Sequence, residues 1–137
     1  MANKSLDNTF REITFRHFIP GIAWFLLILF LMCLPGRDIP SVGWLEEIHF
    51  DKMVHMGSFM VMTFLFSWIF YKSKYSSTQR LYYFIRIALA TSIWGLTIEF
   101  IQRFYIPGRA YELLDWAADS LGSLIGFFLS WKYLLRP

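Results

Sequence analysis

Four stretches of this chain are apolar for about the thickness of a bilayer, and the ionisable residues they carry lie near their ends. Residues 18–35 carry no charge. Residues 53–71 carry one histidine. Residues 81–101 hold Arg86 near one end and Glu99 near the other, and residues 113–131 keep both aspartates in their first third. A helix needs about 20 residues to cross a bilayer. The chain has 137 residues, of which 56% are hydrophobic and 20% aromatic, so a soluble domain of this size would cover its apolar surface poorly. The pattern predicts an all-α integral membrane bundle of four transmembrane helices, at about 18–35, 51–71, 81–102 and 113–132. A polar tail, 1–17, precedes the single domain, 18–137.

Charge placement sets the expected orientation. With the N-terminus in the cytoplasm, nine Lys and Arg residues fall on inner segments. Only four, Arg37, Lys52, Arg103 and Arg109, fall on outer ones. The bias follows the positive-inside rule and puts both termini in the cytoplasm. The net charge of +3 therefore reflects topology, and no basic patch interleaved with aromatic residues suggests nucleic acid. The basic lead before the first stretch has no small-residue cleavage site after it, so that stretch reads as a retained anchor. Cys33 is the single cysteine and has no partner for an internal disulfide. In the outer loop, Trp44 and Phe50 suit an interfacial belt. The segment 72–80 reads as a short inner loop.

On this topology the ionisable residues converge on the outer side. Asp51, Lys52 and His55 open the second helix. Glu99 and Gln102 close the third. Arg109 and Glu112 occupy the next loop, and Asp115 and Asp119 start the fourth helix. A charge within a spanning helix costs about 2.5–3.5 kcal/mol even on lenient scales, so such groups usually face a bundle interior or a wet cavity. Asp51 and His55 are four apart on one face, which suits a carboxylate orienting a histidine or a simple helix cap. Glu99 has Gly95 and Ser92 inward of it, which let another helix approach. Asp115, Asp119, Gly122 and Gly126 form one stripe, acidic outside and a Gly-x-x-x-Gly packing surface inside, and that surface leaves a homo-oligomer open. Arg109 can salt-bridge Glu99, Asp115 or Asp119, or grip an anionic head group.

Candidate catalytic residues are thus His55, Asp51, Glu99 and Asp115. Candidate substrate-binding residues are Arg109, Lys52, Gln102, Glu112 and Asp119. Glu99, Asp115 and Asp119 could position a divalent cation, but no specific metal motif is present, and neither is a Gly-rich phosphate loop, H-E-x-x-H or G-x-S-x-G.

In order and spacing, these motifs resemble the VanZ-like family of small membrane proteins. The residues that carry the resemblance are Asp51-Lys52-x-x-His55, Glu99-x-x-Gln102, Pro107-Gly108-Arg109 with Glu112, and Asp115-x-x-x-Asp119-x-x-Gly122-x-x-x-Gly126. They span the chain after its tail. The family often carries Asn where this chain has Asp119. The resemblance implies a multi-pass protein of the bacterial cytoplasmic membrane, and its namesake is associated with resistance to teicoplanin-type glycopeptides. The expected function is binding, with or without chemical modification, of a membrane lipid or a lipid-linked or cell-envelope substrate at the extracytoplasmic face. The alternative is a non-enzymatic scaffold or small-transport protein whose charges form a structural network.

Overall fold

The structure, a computed structural model, describes residues 10–35, 43 and 49–135. Among the described residues four α-helices are complete and no strand is present. The helices are α1 (Ile19–Met32), α2 (Phe50–Trp68), α3 (Ser77–Tyr105) and α4 (Leu113–Leu134), preceded by a single 3-10 turn at Phe15–His17. Trp44 and the Glu46-Glu47 pair lie outside the described residues.

Local sequence explains most helix boundaries. Pro20 sits in the first turn of α1, where its missing N–H costs nothing. Helix α1 ends at Met32, three residues before the end at 35 expected from sequence. Helix α3 starts at Ser77, earlier than expected, because Ser76 and Gln79 form a reciprocal capping box. The Gln79 N–H donates to Ser76 Oγ at 3.2 Å, and the Ser76 N–H donates to Gln79 Oε1 at 3.0 Å. Half of the expected 72–80 loop is therefore helix. The α3–α4 turn contains Gly108 at φ 76°, a left-handed conformation that favours glycine. His49 precedes α2 in the same region, at φ 51°.

Helices α2 and α4 make the most intimate contact. A Cβ at Gly122 would collide with the Met56 carbonyl of α2, and one at Gly126 would meet the Met60 carbonyl oxygen at 2.6 Å. The glycine face that the sequence left open for a second copy is thus filled by α2 of the same chain. Helix α3 packs on α4 and α2. Helix α1 joins through Ile28, Met32, Phe59, Met62 and Ile98, bordered by Trp24, Phe25, Phe66 and Trp94. The Trp24 indole N–H also donates to the Ser58 carbonyl at 3.0 Å.

The molecule is polar inside and apolar outside. Among described residues, thirteen buried side chains are polar or charged and eight are hydrophobic, while Phe30, Leu89, Ile93, Leu121 and Phe128 face outward. Hydroxyls bridge the helices within the bundle. Thr63 bonds Thr91 at 2.8 Å, and Thr91 donates to Ser123 at 3.0 Å. Two helices, Ser77–Tyr105 and Leu113–Leu134, are long and apolar enough to cross a membrane.

At the opposite end from the ionisable cluster, the N-terminal segment clasps the α2–α3 turn. The Arg11 guanidinium donates to the Trp68 and Ile69 carbonyls at 2.7 and 3.0 Å, at the C-terminal end of α2, where the Trp68 carbonyl also accepts the Tyr71 N–H. The Arg11 N–H donates to the Lys72 carbonyl, and Lys74 pairs with Glu12 at 2.7 Å.

The glycine contacts predict an asymmetric response. Gly122→Ala drives a methyl into backbone and should cost about 1–3 kcal/mol, the usual penalty of overpacking. A Cβ at Gly57 meets nothing within 4 Å, so Gly57→Ala should be neutral or stabilising. Thermal unfolding of the purified variants in detergent checks both, and equal melting temperatures for the two would contradict the packing described.

Candidate functional site

The antiparallel arrangement brings the first turns of α2 and α4 beside the last turns of α3. Every candidate site residue lies at this end, and the groups sort into two tiers.

The outer tier is organised by Lys52. Its ammonium contacts Asp51 Oδ2 at 3.1 Å, Glu112 Oε2 at 2.9 Å and Asp115 Oδ1. The Asp51 and Glu112 side chains are more than half exposed, so water screens those pairs. Asp115 is buried, and Lys52 is its cation. Lys52 and Asp115 lie 63 positions apart, so this pair ties α2 to α4.

The inner tier is His55, Glu99 and Asp119, one residue from each of three helices, all buried. His55 Nδ1 lies 2.9 Å from Asp119 Oδ1. Glu99 Oε2 accepts the Glu112 backbone N–H at 2.9 Å, a bond that fixes the start of α4 against the end of α3. Two oxygens of this tier, Glu99 Oε1 and Asp119 Oδ2, are buried without a hydrogen-bond partner among the described residues. Each of the three residues offers a ligand-type atom within 4.8 Å of the others. Gly95 makes the space: a Cβ there would lie 2.7 Å from Asp119 Oδ2.

The remaining candidates face α1. The Gln102 side-chain amide donates to the Met32 carbonyl at 2.8 Å, and Arg109 Nη2 approaches the same oxygen at 3.5 Å. Met32 closes α1, so Gln102 satisfies an end carbonyl. Arg109 is half-buried. Among the described residues it makes no ion pair, and its Nε has no partner.

All nine candidates meet at one end, but several partners differ from those expected. His55 bonds Asp119 rather than Asp51, because α4 approaches α2 closely while Asp51 turns toward Lys52 at the rim. The cation among the carboxylates is Lys52 rather than Arg109, which lies toward the α1 terminus. Helical spacing shows which residues share a face; it does not show which faces meet. The Thr63–Thr91–Ser123 bridge was missed by sequence reasoning. Its signal was available, since Thr63, Thr91 and Ser123 follow Phe59, precede Gly95 and follow Asp119 at intervals of four.

An open groove of about 330 Å³ runs between α3 and α4, lined by Ile85, Leu89, Leu124 and Phe127. The Ser92–Ser120 hydrogen bond, 2.8 Å, belongs to its wall. Ser92 lies two turns along α3 from Glu99.

No protein-family model matches the chain. It is similar to an uncharacterized protein of Schizosaccharomyces pombe, with 31% identity over 86 residues, covering 63% of this chain and 49% of that protein. The match thus spans about half the length of that relative. No solved structure matches.

The outer tier yields a stability prediction. Lys52→Met strands the buried Asp115 carboxylate and should cost about 3–5 kcal/mol, the range for breaking a buried pair from one side. Asp51→Ala, at the exposed rim, should cost about 1 kcal/mol or less. A Lys52→Met/Asp115→Leu double variant should recover most of the loss. Chemical unfolding of these proteins and of the Asp115→Leu single variant supplies the measurement, and purely additive effects would show that the pair is uncoupled.

Proposed function

We propose that the chain is a VanZ-like, multi-pass membrane protein that holds an anionic lipid or lipid-linked envelope substrate at one polar end. In this reading all four helices span the membrane and both termini are cytoplasmic. The ionisable end is extracytoplasmic, as in the outer face of a bacterial cytoplasmic membrane. The positive-inside bias and the outward apolar residues support the topology.

The observation that carries the function is the inner tier. A histidine and two carboxylates are buried together at a helix-bundle end, and two of their oxygens are left unpaired. A purely structural network is expected to pair such atoms, since each buried polar group without a partner is costly. Groups held ready but unsatisfied suit binding or proton transfer. Asp119 orients His55 in place of Asp51. With Nδ1–H donating to that carboxylate, Nε2 keeps a lone pair for a substrate proton. Arg109, without a carboxylate partner among the described residues, supplies a guanidinium for a phosphate or carboxylate head group. Lys52 contributes less to substrate, being committed to three carboxylates. The α3–α4 groove suits an acyl chain.

Native mass spectrometry of the full chain released from detergent tests this reading. Phosphatidylglycerol and undecaprenyl phosphate should be retained in preference to phosphatidylcholine. Arg109→Gln should weaken that retention about tenfold, a loss of about 1.4 kcal/mol. Equal retention of anionic and zwitterionic lipids, unchanged in Arg109→Gln, would remove the support.

A specific observation favours the second reading, a non-enzymatic scaffold or small-transport protein. The Lys52 hub and the Gln102 bond to Met32 serve packing. If the whole cluster is structural, His55→Ala, Glu99→Gln and Asp119→Asn lower the melting temperature as strongly as Lys52→Met. If the inner tier is functional, they leave stability nearly intact.

A further inference from the structure

We infer that His55, Glu99 and Asp119 form a divalent-cation site, and that its chemistry fits Zn2+. Three side chains with metal-ligating atoms come from three helices, and one such atom of each lies within 4.8 Å of the others. That convergence alone would be an acidic cluster. The second observation is that Glu99 and Asp119 are fully buried and each presents an oxygen, Oε1 and Oδ2, that nothing among the described residues satisfies. No Lys or Arg among the described residues pairs with either carboxylate. Lys52 is held by Asp51, Glu112 and Asp115, and Arg109 lies against the Met32 carbonyl.

A divalent ion resolves both problems. Two carboxylates and a neutral imidazole around a 2+ ion sum to zero charge, which makes burial tolerable. The ion also gives the two orphaned oxygens a partner. The ligands are held before any ion arrives: Glu99 by the Glu112 N–H, and Asp119 in the space Gly95 leaves. Such outer supports are what a binding site needs to keep its geometry. One nitrogen and two oxygens suit Zn2+ better than Mg2+ or Ca2+, which prefer all-oxygen shells with more ligands or retained waters. Three protein ligands leave one tetrahedral position open to water or substrate. The outer acidic group, Asp51, Glu112 and Asp115, is not a second site, because Lys52 already occupies its centre.

The same three residues carry the proposed substrate site, where His55 would then act as a ligand rather than as a proton acceptor, and a probe that is the metal alone tests the two readings separately. The full chain, purified in detergent without a polyhistidine tag and stripped with EDTA, is titrated with Zn2+ against a fluorescent chelator. Bound metal is counted by plasma mass spectrometry. The expected result is one Zn2+ per chain, undisplaced by millimolar Mg2+. Glu99→Gln and Asp119→Asn should each weaken binding at least tenfold, while Glu12→Gln, an exposed carboxylate at the opposite end, should bind as the parent does. Co2+ loaded into the parent protein should give one-to-one d–d absorption, a readout that holds even if a variant fails to fold. A chain that takes up well under one Zn2+, shows no stoichiometric Co2+ spectrum, or binds equally after either inner-tier substitution would overturn the site.

Discussion

Everything at the ionisable end depends on how closely α2 and α4 approach each other. Gly122 and Gly126 let the α2 backbone lie directly on α4, with the Met56 and Met60 carbonyls where side chains would otherwise stand. His55 neighbours Met56 in sequence, and Asp119 lies three residues before Gly122. The glycine contact therefore sets the distance across which His55 reaches Asp119 and Lys52 reaches Asp115. In an apolar surrounding, packing of this kind replaces the hydrophobic effect as the force that joins helices. The polar pairs are then formed between elements already fixed in register.

Two tiers of charge with different logic follow from that geometry. At the rim, one ammonium gathers three carboxylates, two of them in reach of water, and the arrangement serves cohesion. One turn deeper no Lys or Arg among the described residues pairs with the acids, and two carboxylates lie beside one histidine. The contrast is within a single site, so it cannot be assigned to overall composition. It arises because Lys52, three residues before His55, lies nearer the helix end and claims the outer acids.

Much of this was legible in the sequence. Spacing of four, three and four placed Asp115, Asp119, Gly122 and Gly126 on one stripe, and charge bias placed the ends of three helices together. The Ser76–Gln79 capping box was also legible, but the polar run around it reads more readily as a loop, and so α3 was expected to begin later. The pairings were not legible. Whether Asp119 meets His55 or Arg109 depends on which helix faces which, and that is decided by steric fit between backbones far apart in the chain. The same holds for Gln102, whose partner is a backbone carbonyl 70 residues away.

The clasp at the other end has a consequence for how the chain is made. Arg11 covers carbonyls at Trp68 and Ile69, the nearer of them 57 residues downstream. During synthesis, this arginine emerges long before its acceptors exist. Helix α1 can therefore form early, yet its N-terminal flank cannot lock until α2 is complete and the turn toward α3 has formed. The clasp is thus a late event in assembly: Arg11 can engage only after the second helix has been finished.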